Sequence, residues 1–239
     1  MTHEGKPMHP AVASTTDNAR PRRAPVSPDF WRQIKRTVNG VPVSEAQITL
    51  IVDAIRAGLD LQPADVVTDI ACGNGALSQY LFDDCAGWFG SDIDATLIAT
   101  AQRHFATPPA YDFRCADAAS YVATEPAPAR YTKALCYGSF SYFSADEAHE
   151  VLATLHGRFT NLRRVYIGNL PDKDRAHRFY PAGTDYYAQL DQPQAAIGLW
   201  RSADEWRALA ARTGWQIRFH QMPEDFYAAH YRFDVVLDR

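Results

Sequence analysis

Residues 66–77 read VVTDIACGNGAL, a run of branched residues that ends at Asp69 and opens into a turn holding Gly73 and Gly75. Branched residues, then small ones, then a helix-like stretch form the pattern of a buried strand feeding a covering helix. Glycines at such a turn adopt backbone angles that other residues resist, and they let the backbone approach a ligand closely. By itself the turn fits either a ligand loop or a merely tight connection.

The flanking segments supply the context. SEAQITLIVDAIRAGL (44–59) starts with Ser44, carries Gln47 at capping-box spacing, and sets Ile48, Ile51, Val52, Ile55 and Leu59 on one helical face. PDFWRQIKRTV (28–38) repeats apolar residues at helical spacing and is expected as a docking helix. Beyond the turn, GALSQYLFDDC (75–85) reads as a helix, AGWFGSDID (86–94) as a strand and turn, and ATLIATAQRHF (95–105) as a helix capped by Asp94. Strands are expected again at YDFRCAD, YTKALCYG and RRVYIGNL. Helical stretches separate them at AASYVATE and at EAHEVLATLHGRF, the latter capped by Ser144 with Glu147.

Five strands alternating with helices predict an α/β fold with a parallel sheet covered on both faces. SADEWRALAART, capped by Ser202 and Glu205, then leads to WQIRFHQ and FDVVLD, expected as an antiparallel pair at the sheet edge. The whole is a doubly wound seven-stranded mixed sheet whose last strand is antiparallel. Residues 172–200 interrupt the rhythm with a polar and aromatic insertion too long for an ordinary connection, as lids and binding loops often are.

Composition narrows the classes. A chain of 239 residues fits one globular unit, and its formal charge of −4 argues against nucleic acid as a partner. Residues 1–27 lack periodicity and read as a flexible arm, leaving 28–239 as a single domain. The four cysteines are scattered, with no zinc-binding spacing, so no metal is expected and the thiols read as reduced. With neither a signal-like apolar stretch nor a membrane span, a cytoplasmic location is expected.

In a parallel sheet, ligands bind beyond the carboxyl ends of the strands. The turn at 69–75 has neither the GxGxxG spacing of dinucleotide enzymes nor a P-loop lysine, which disfavours a pyrophosphate. A carboxylate at Asp69 would repel phosphate and suits a ligand with an amino group and a cationic centre. Asp92 ends the next strand, where a carboxylate can accept from both hydroxyls of a ribose. Asp117, between Ala116 and Ala118, ends the third and can accept from an exocyclic amine while its small neighbours leave room for a flat ring. Together these residues describe a pocket for an adenosine with an amino acid tail.

On VVTDIACGNGAL, WFGSDIDATLIATA, FRCADAA and KALCYGSFSYF, the sequence resembles the class I S-adenosylmethionine-dependent methyltransferases over roughly residues 44–239. The resemblance implies a Rossmann-like sheet and S-adenosyl-L-methionine as cofactor. It implies that Asp69 contacts the methionine amino group directly or through water, and that the backbone of Ala71, Gly73 and Gly75 wraps the methionine part. It further implies Asp92 at the ribose hydroxyls, Ile93 against the adenine, Asp117 and Ala118 at the adenine edge, and Tyr137 facing the methionine part or the reacting centre. Ala71 stands where the family usually has its first glycine.

Methyl transfer is an in-line displacement, so such an enzyme must align donor and acceptor and exclude water. A hydroxyl acceptor also has to lose a proton, which calls for a general base. The candidates are His177, Asp172 and Asp185 in the insertion and His230, flanked by Phe226, Tyr227 and Tyr231, in the loop before the last strand, with the two histidines preferred. Tyr180, Tyr186 and Tyr187, with Phe226 and Tyr231, are candidates for an aromatic wall around a small polar acceptor, either a metabolite or a sugar. The closing HYRFDVVL (230–237) also resembles the end of methyltransferase-like proteins encoded with carbohydrate biosynthesis functions. NLPD (169–172) has a faint likeness to the tetrad of DNA adenine methyltransferases, but it follows the fifth strand and lacks the terminal aromatic, so that reading is rejected. A homodimer, a noncatalytic cofactor-binding subunit and another transferase on the same fold remain alternatives.

Overall fold

Strands that are apolar on both faces need helices on either side, and the chain is built that way. The computed structural model describes residues 23–239. In chain order it has α1 at Pro28–Gln33, β1 at Thr37–Val38, β2 at Val41–Pro42, α2 at Glu45–Leu59, β3 at Val66–Ile70, β4 at Gly87–Asp92 and α3 at Ala95–His104. Then come β5 (Tyr111–Cys115), α4 (Ala118–Thr124), β6 (Lys133–Tyr137), α5 (Ala145–Arg158) and β7 (Arg164–Pro171). The chain ends with α6 (Tyr187–Leu190), α7 (Ala203–Arg212), β8 (Gln216–His220) and β9 (Arg232–Asp238).

The large sheet has the order β5-β4-β3-β6-β7-β9-β8. Neighbours from β5 to β7 pair in parallel, and β9 runs antiparallel to both β7 and β8. The expected seven-stranded mixed sheet is therefore present, with the last strand slotted one place in from the edge. Strand order reverses between β3 and β6, which puts the ligand crevice of this architecture at their carboxyl ends.

Consecutive strand residues feed opposite layers, as the pleat requires. Tyr166 packs in the layer with Ile51, Ile55 and Trp88, whereas Val165 and Ile167 pack in the layer with Leu152, Phe159 and Trp206. The buried Lys133 ammonium donates to the carbonyls of Leu59 at 2.7 Å and Asp60 at 3.2 Å, closing the C-terminus of α2.

Some local expectations change. The capping boxes Ser144–Glu147 and Ser202–Glu205 are complete, but at α2 only Ser44 plays its part. The Gln47 side chain instead reaches the 224–227 loop, donating to the Asp225 carbonyl and accepting from the Tyr227 N–H, both at 2.9 Å. The helix expected at 75–85 is a 3-10 segment, Ser78–Asp84. Its Ser78 hydroxyl is tied to Asp69, and all of its side chains except that of Asp83 are buried, so the segment winds tightly against the sheet. α1 stops at Gln33, and Asn39-Gly40, both at positive φ, turn the following chain into the β1–β2 hairpin. Most of the expected N-terminal arm, residues 1–22, lies outside the described residues. Arg23 is paired with Asp83 at 2.7 Å.

Gly58 lies inside α2, where alanine ordinarily favours a helix by about 1 kcal/mol. A Cβ there would meet the ring of the fully buried Tyr166 at 2.2 Å. Gly58→Ala should therefore reverse the usual sign and destabilise by about 1–3 kcal/mol, read from urea unfolding midpoints.

Candidate functional site

The chain leaves β3 through three residues in the left-handed region: Ala71 at φ 56°, Gly73 at 61° and Gly75 at 74°. For Ala71 that conformation costs about 1 kcal/mol, so the surroundings must hold it. They do so through Asp92 at the end of β4. Its Oδ2 accepts from the Gly73 N–H at 2.8 Å and its Oδ1 from the Asp94 N–H at 3.0 Å. At Gly75 a Cβ would come to 3.0 Å from Phe113 and 3.2 Å from Ala101, so this glycine is also required by close packing.

Next to this turn is a cavity of about 320 Å³, within the range of small-ligand sites. Of the residues expected to bind cofactor, Ala71, Asp92, Ile93, Asp117 and Ala118 line it. Ile93 is 74% exposed, an unusual placement for a large apolar side chain and a suitable one for a plate under a flat ring. Asp117 is the N-cap of α4, and hydrogen bonds from Ser120 hold its carboxyl below the ordinary carboxylate range. The far wall was not anticipated. Ser139, Tyr142 and Phe143 come from the loop after β6, and Glu147 and Val151 from α5. The Tyr142 hydroxyl donates to the Ala196 carbonyl at 3.1 Å, which fastens the insertion to this wall. The aromatic run GSFSYF was the available signal, but nothing in its spacing says which ring turns inward.

Asp69, Gly73, Gly75 and Tyr137 do not line that cavity. Asp69 is only 3% exposed, and its Oδ2 accepts from the Ser78 hydroxyl at 2.6 Å and from the Trp88 indole N–H at 3.0 Å. Burial pushes its carboxyl up to about 7, against the pull of those two hydrogen bonds. The carboxylate thus braces the base of the turn, and a direct contact with a ligand is not built into this arrangement. Tyr137 is buried on the opposite side of its strand end, its ring against Gly168 and 5.0 Å from the Arg36 guanidinium. Half-buried Cys72 has its thiol pushed well up by burial and acts as packing against Gly90.

The candidates for the acceptor side fall on two loops at the same end of the sheet, because the insertion leaves β7 at Pro171 and the 221–231 loop enters β9 at its partner Arg232. Tyr180 and Tyr186 stack at 4.6 Å, Tyr186 continues onto Tyr187, and Phe179 joins Tyr180 to Trp200 and Tyr231. Phe226 and Tyr231 are buried in the core layer. His230 is exposed, its ring edge-on to Tyr231 at 4.8 Å, and His177 is exposed on the 3-10 segment Lys173–Arg178. Neither histidine lines the nucleoside-sized cavity.

The raised Asp69 carboxyl has a consequence for stability. In the unfolded chain the group loses its proton near 3.8, but in the folded protein only near 7, so the folded state binds the extra proton between those values. This contribution to stability is therefore present at the acidic end and lost as pH rises from about 4 to about 7. Urea unfolding of Asp69→Asn across that window should show a flatter pH dependence than the parent; parallel curves would contradict the assignment.

Residues 67–159 match the family model described as a methyltransferase domain. Comparison with curated proteins gives no match. Among solved structures, the chain is similar to the magnesium protoporphyrin IX methyltransferase of Synechocystis PCC 6803 with bound S-adenosylmethionine, at 20% identity and a TM-score of 0.58 over 88% of this chain and 90% of that one. It is also similar to a TehB-like S-adenosylmethionine-dependent methyltransferase from Corynebacterium glutamicum, at 16% identity and a TM-score of 0.55 over 88% and 96% of the two chains. The cyclopropane synthase MmaA2 of Mycobacterium tuberculosis shares the fold at 18% identity and a TM-score of 0.55, over 81% and 67%. The matched segment runs from β3 through α5 and so covers the left-handed turn, Asp92 and Asp117; over it the chain is similar to methyltransferase domains, and the solved methyltransferases share its fold.

Proposed function

We propose that this methyltransferase acts on an oxygen, or alternatively a nitrogen, of a small polar metabolite or sugar, in the cytoplasm. The observation that carries the reading is the cavity beside the turn, with a carboxylate at one strand end, a bare isoleucine plate at the next residue and a floor of alanines. These residues fit the nucleoside half of S-adenosylmethionine. The Asp92 oxygens each spend one lone pair on backbone N–H groups and keep another for ribose hydroxyls. When bound, the cofactor supplies a methyl group on a positively charged sulfur that leaves as a neutral thioether.

The chain's own residues then have three tasks. The turn from Ala71 to Gly75 fixes the donor, with Asp69 holding the turn from below through Ser78 and Trp88. The insertion, fastened at Tyr142 and walled by its aromatic stack, acts as a lid that excludes water. A hydroxyl acceptor gives its proton to His230 or His177 as the bond to carbon forms. Among the described residues no helix is long and apolar enough to cross a membrane.

Calorimetry with S-adenosylmethionine and S-adenosylhomocysteine tests the cofactor half, and absence of binding to either at millimolar concentration would sink it. Asp92→Ala should weaken S-adenosylhomocysteine by about 1–3 kcal/mol, through lost ribose contacts and a loosened turn; unchanged affinity removes Asp92 from the site. On the acceptor half, His230→Ala should lower turnover about 10²–10⁴-fold. A rate that survives at every pH rejects His230 as the base and leaves His177 to be tested in the same way.

A further inference from the structure

Beside the nucleoside cavity, and outside its lining, four polar side chains from distant parts of the sequence come together. Arg36 follows α1, Tyr137 and Asn169 stand at the ends of β6 and β7, and Arg232 begins β9. The link between cavity and cluster is the segment Gly138-Ser139. Ser139 lines the cavity, whereas the Cβ position of Gly138 faces the Arg36 Nη2 at 3.5 Å and the Asn169 Nδ2 at 3.6 Å. Arg36 lies over the Tyr137 ring at 5.0 Å, and Arg232 donates from Nη1 to the Asn169 carbonyl.

What marks the cluster is unspent hydrogen-bonding capacity. The Nε and Nη1 of Arg36, the Nε of Arg232, the Tyr137 hydroxyl and the Asn169 Oδ1 are all buried atoms with no hydrogen-bond partner among the described residues. Arg232 is 9% exposed and Tyr137 5%, so bulk water does not serve them. Leaving such groups unpaired forfeits their hydration with nothing in return, and the loss is larger for charged ones. Asp234, whose charge reaches Tyr137, is committed elsewhere: it accepts from the Tyr166 hydroxyl and, at 2.6 Å, from the Asn169 N–H, and it faces His220 at 3.6 Å. Two guanidinium groups thus flank Asn169 with no described acid between them. Asn169 itself is held at φ 65°, at the irregularity in the β7–β9 pairing, so the backbone is bent to place it there.

We propose that Arg36 and Arg232, with Tyr137 and Asn169, bind an anionic group of the methyl acceptor, a carboxylate or a phosphate. The inference rests on the methyltransferase reading and deepens it: the polar acceptor is an acid. A guanidinium pair offers several N–H donors to planar or tetrahedral oxyanions, and the Tyr137 hydroxyl adds another. The position also separates acceptor from cofactor. The cavity is lined from the ends of β3, β4 and β5 and, at its far wall, from Ser139 onward and α5, whereas the cluster draws on the ends of β6 and β7 and the start of β9 and shares no residue with that lining. The cofactor carries a carboxylate of its own, and the test distinguishes the two sources.

The full chain loaded with S-adenosylhomocysteine is titrated calorimetrically with inorganic phosphate, benzoate and neutral benzamide. Binding of phosphate or benzoate but not of benzamide is expected, and the tighter of the two anions identifies the class. Arg36→Gln should weaken that anion ~10–100-fold while S-adenosylhomocysteine affinity stays unchanged. Arg36 is half-buried at the start of the site, so this variant is suited to folding; Arg232→Gln, checked by its unfolding curve, should act in the same direction. Equal binding of benzamide, or anion binding unaltered in both variants, overturns the proposal. So does a loss of S-adenosylhomocysteine affinity in Arg36→Gln without anion binding by the parent, which would give the guanidinium to the cofactor's carboxylate. If the parent fails to bind S-adenosylhomocysteine at all, the methyltransferase reading fails, and the same titrations on the unloaded chain still decide whether Arg36 holds an anion.

Discussion

The two hydrogen bonds that Asp92 accepts from Gly73 and Asp94 hold together everything at the ligand end of the sheet. They fasten the exit of β3 to the exit of β4, so that three left-handed residues in a row of five keep one shape. Without that brace Ala71 would have no reason to stay in a conformation that costs an L-residue about 1 kcal/mol. The same carboxylate lines the cavity, so the group that shapes the turn also faces whatever the cavity holds. Structure and binding are therefore coupled at a single side chain, and loosening one must loosen the other.

Beneath the turn a second carboxylate does related work without touching the cavity. Asp69 is enclosed by Ser78 and Trp88, and the hydroxyl it holds is part of what keeps Ser78–Asp84 wound as a tight segment rather than a regular helix. The sequence placed this aspartate correctly at the strand end, and the chemistry of the strand end suggested a ligand. A strand-end position specifies where the Cα lies but not whether the side chain turns outward to solvent or inward to the layer of Trp88. That choice depends on partners nine and nineteen residues away, which no local pattern reveals.

The alternation of strands and helices was readable because apolar periodicity is a local property, and each capping box completes itself within four residues. Gln47 shows the limit: its spacing from Ser44 fits a box, yet its amide is drawn to Asp225 and Tyr227, 178 and 180 residues along the chain. The β1–β2 hairpin was a different kind of omission. Asn39-Gly40 is a strong local turn signal, and it was hidden only because the apolar residues before it fitted a longer helix. At the nucleoside cavity, Ala71, Asp92, Ile93, Asp117 and Ala118 were named from sequence because each lies at a strand end. Ser139, Tyr142, Glu147 and Val151 were not, since they reach the cavity only through the way α5 packs.

The acceptor half of the site shows why its chemistry is harder to read than that of the cofactor half. The cavity residues Ala71, Asp92, Ile93, Asp117 and Ala118 come from three successive strand–helix units, so their spacing is fixed by the fold and leaves a recurring signature in the chain. Arg36, Tyr137, Asn169 and Arg232 come from four unrelated elements, and only the reversed strand order and the antiparallel entry of β9 make them neighbours. Each sits in an unremarkable local context, and the bend at Asn169 follows from the β7–β9 irregularity rather than from any glycine or proline at that position. None of these four side chains lines the cavity or bonds Asp92, so substitutions among them leave the Asp92 brace its geometry.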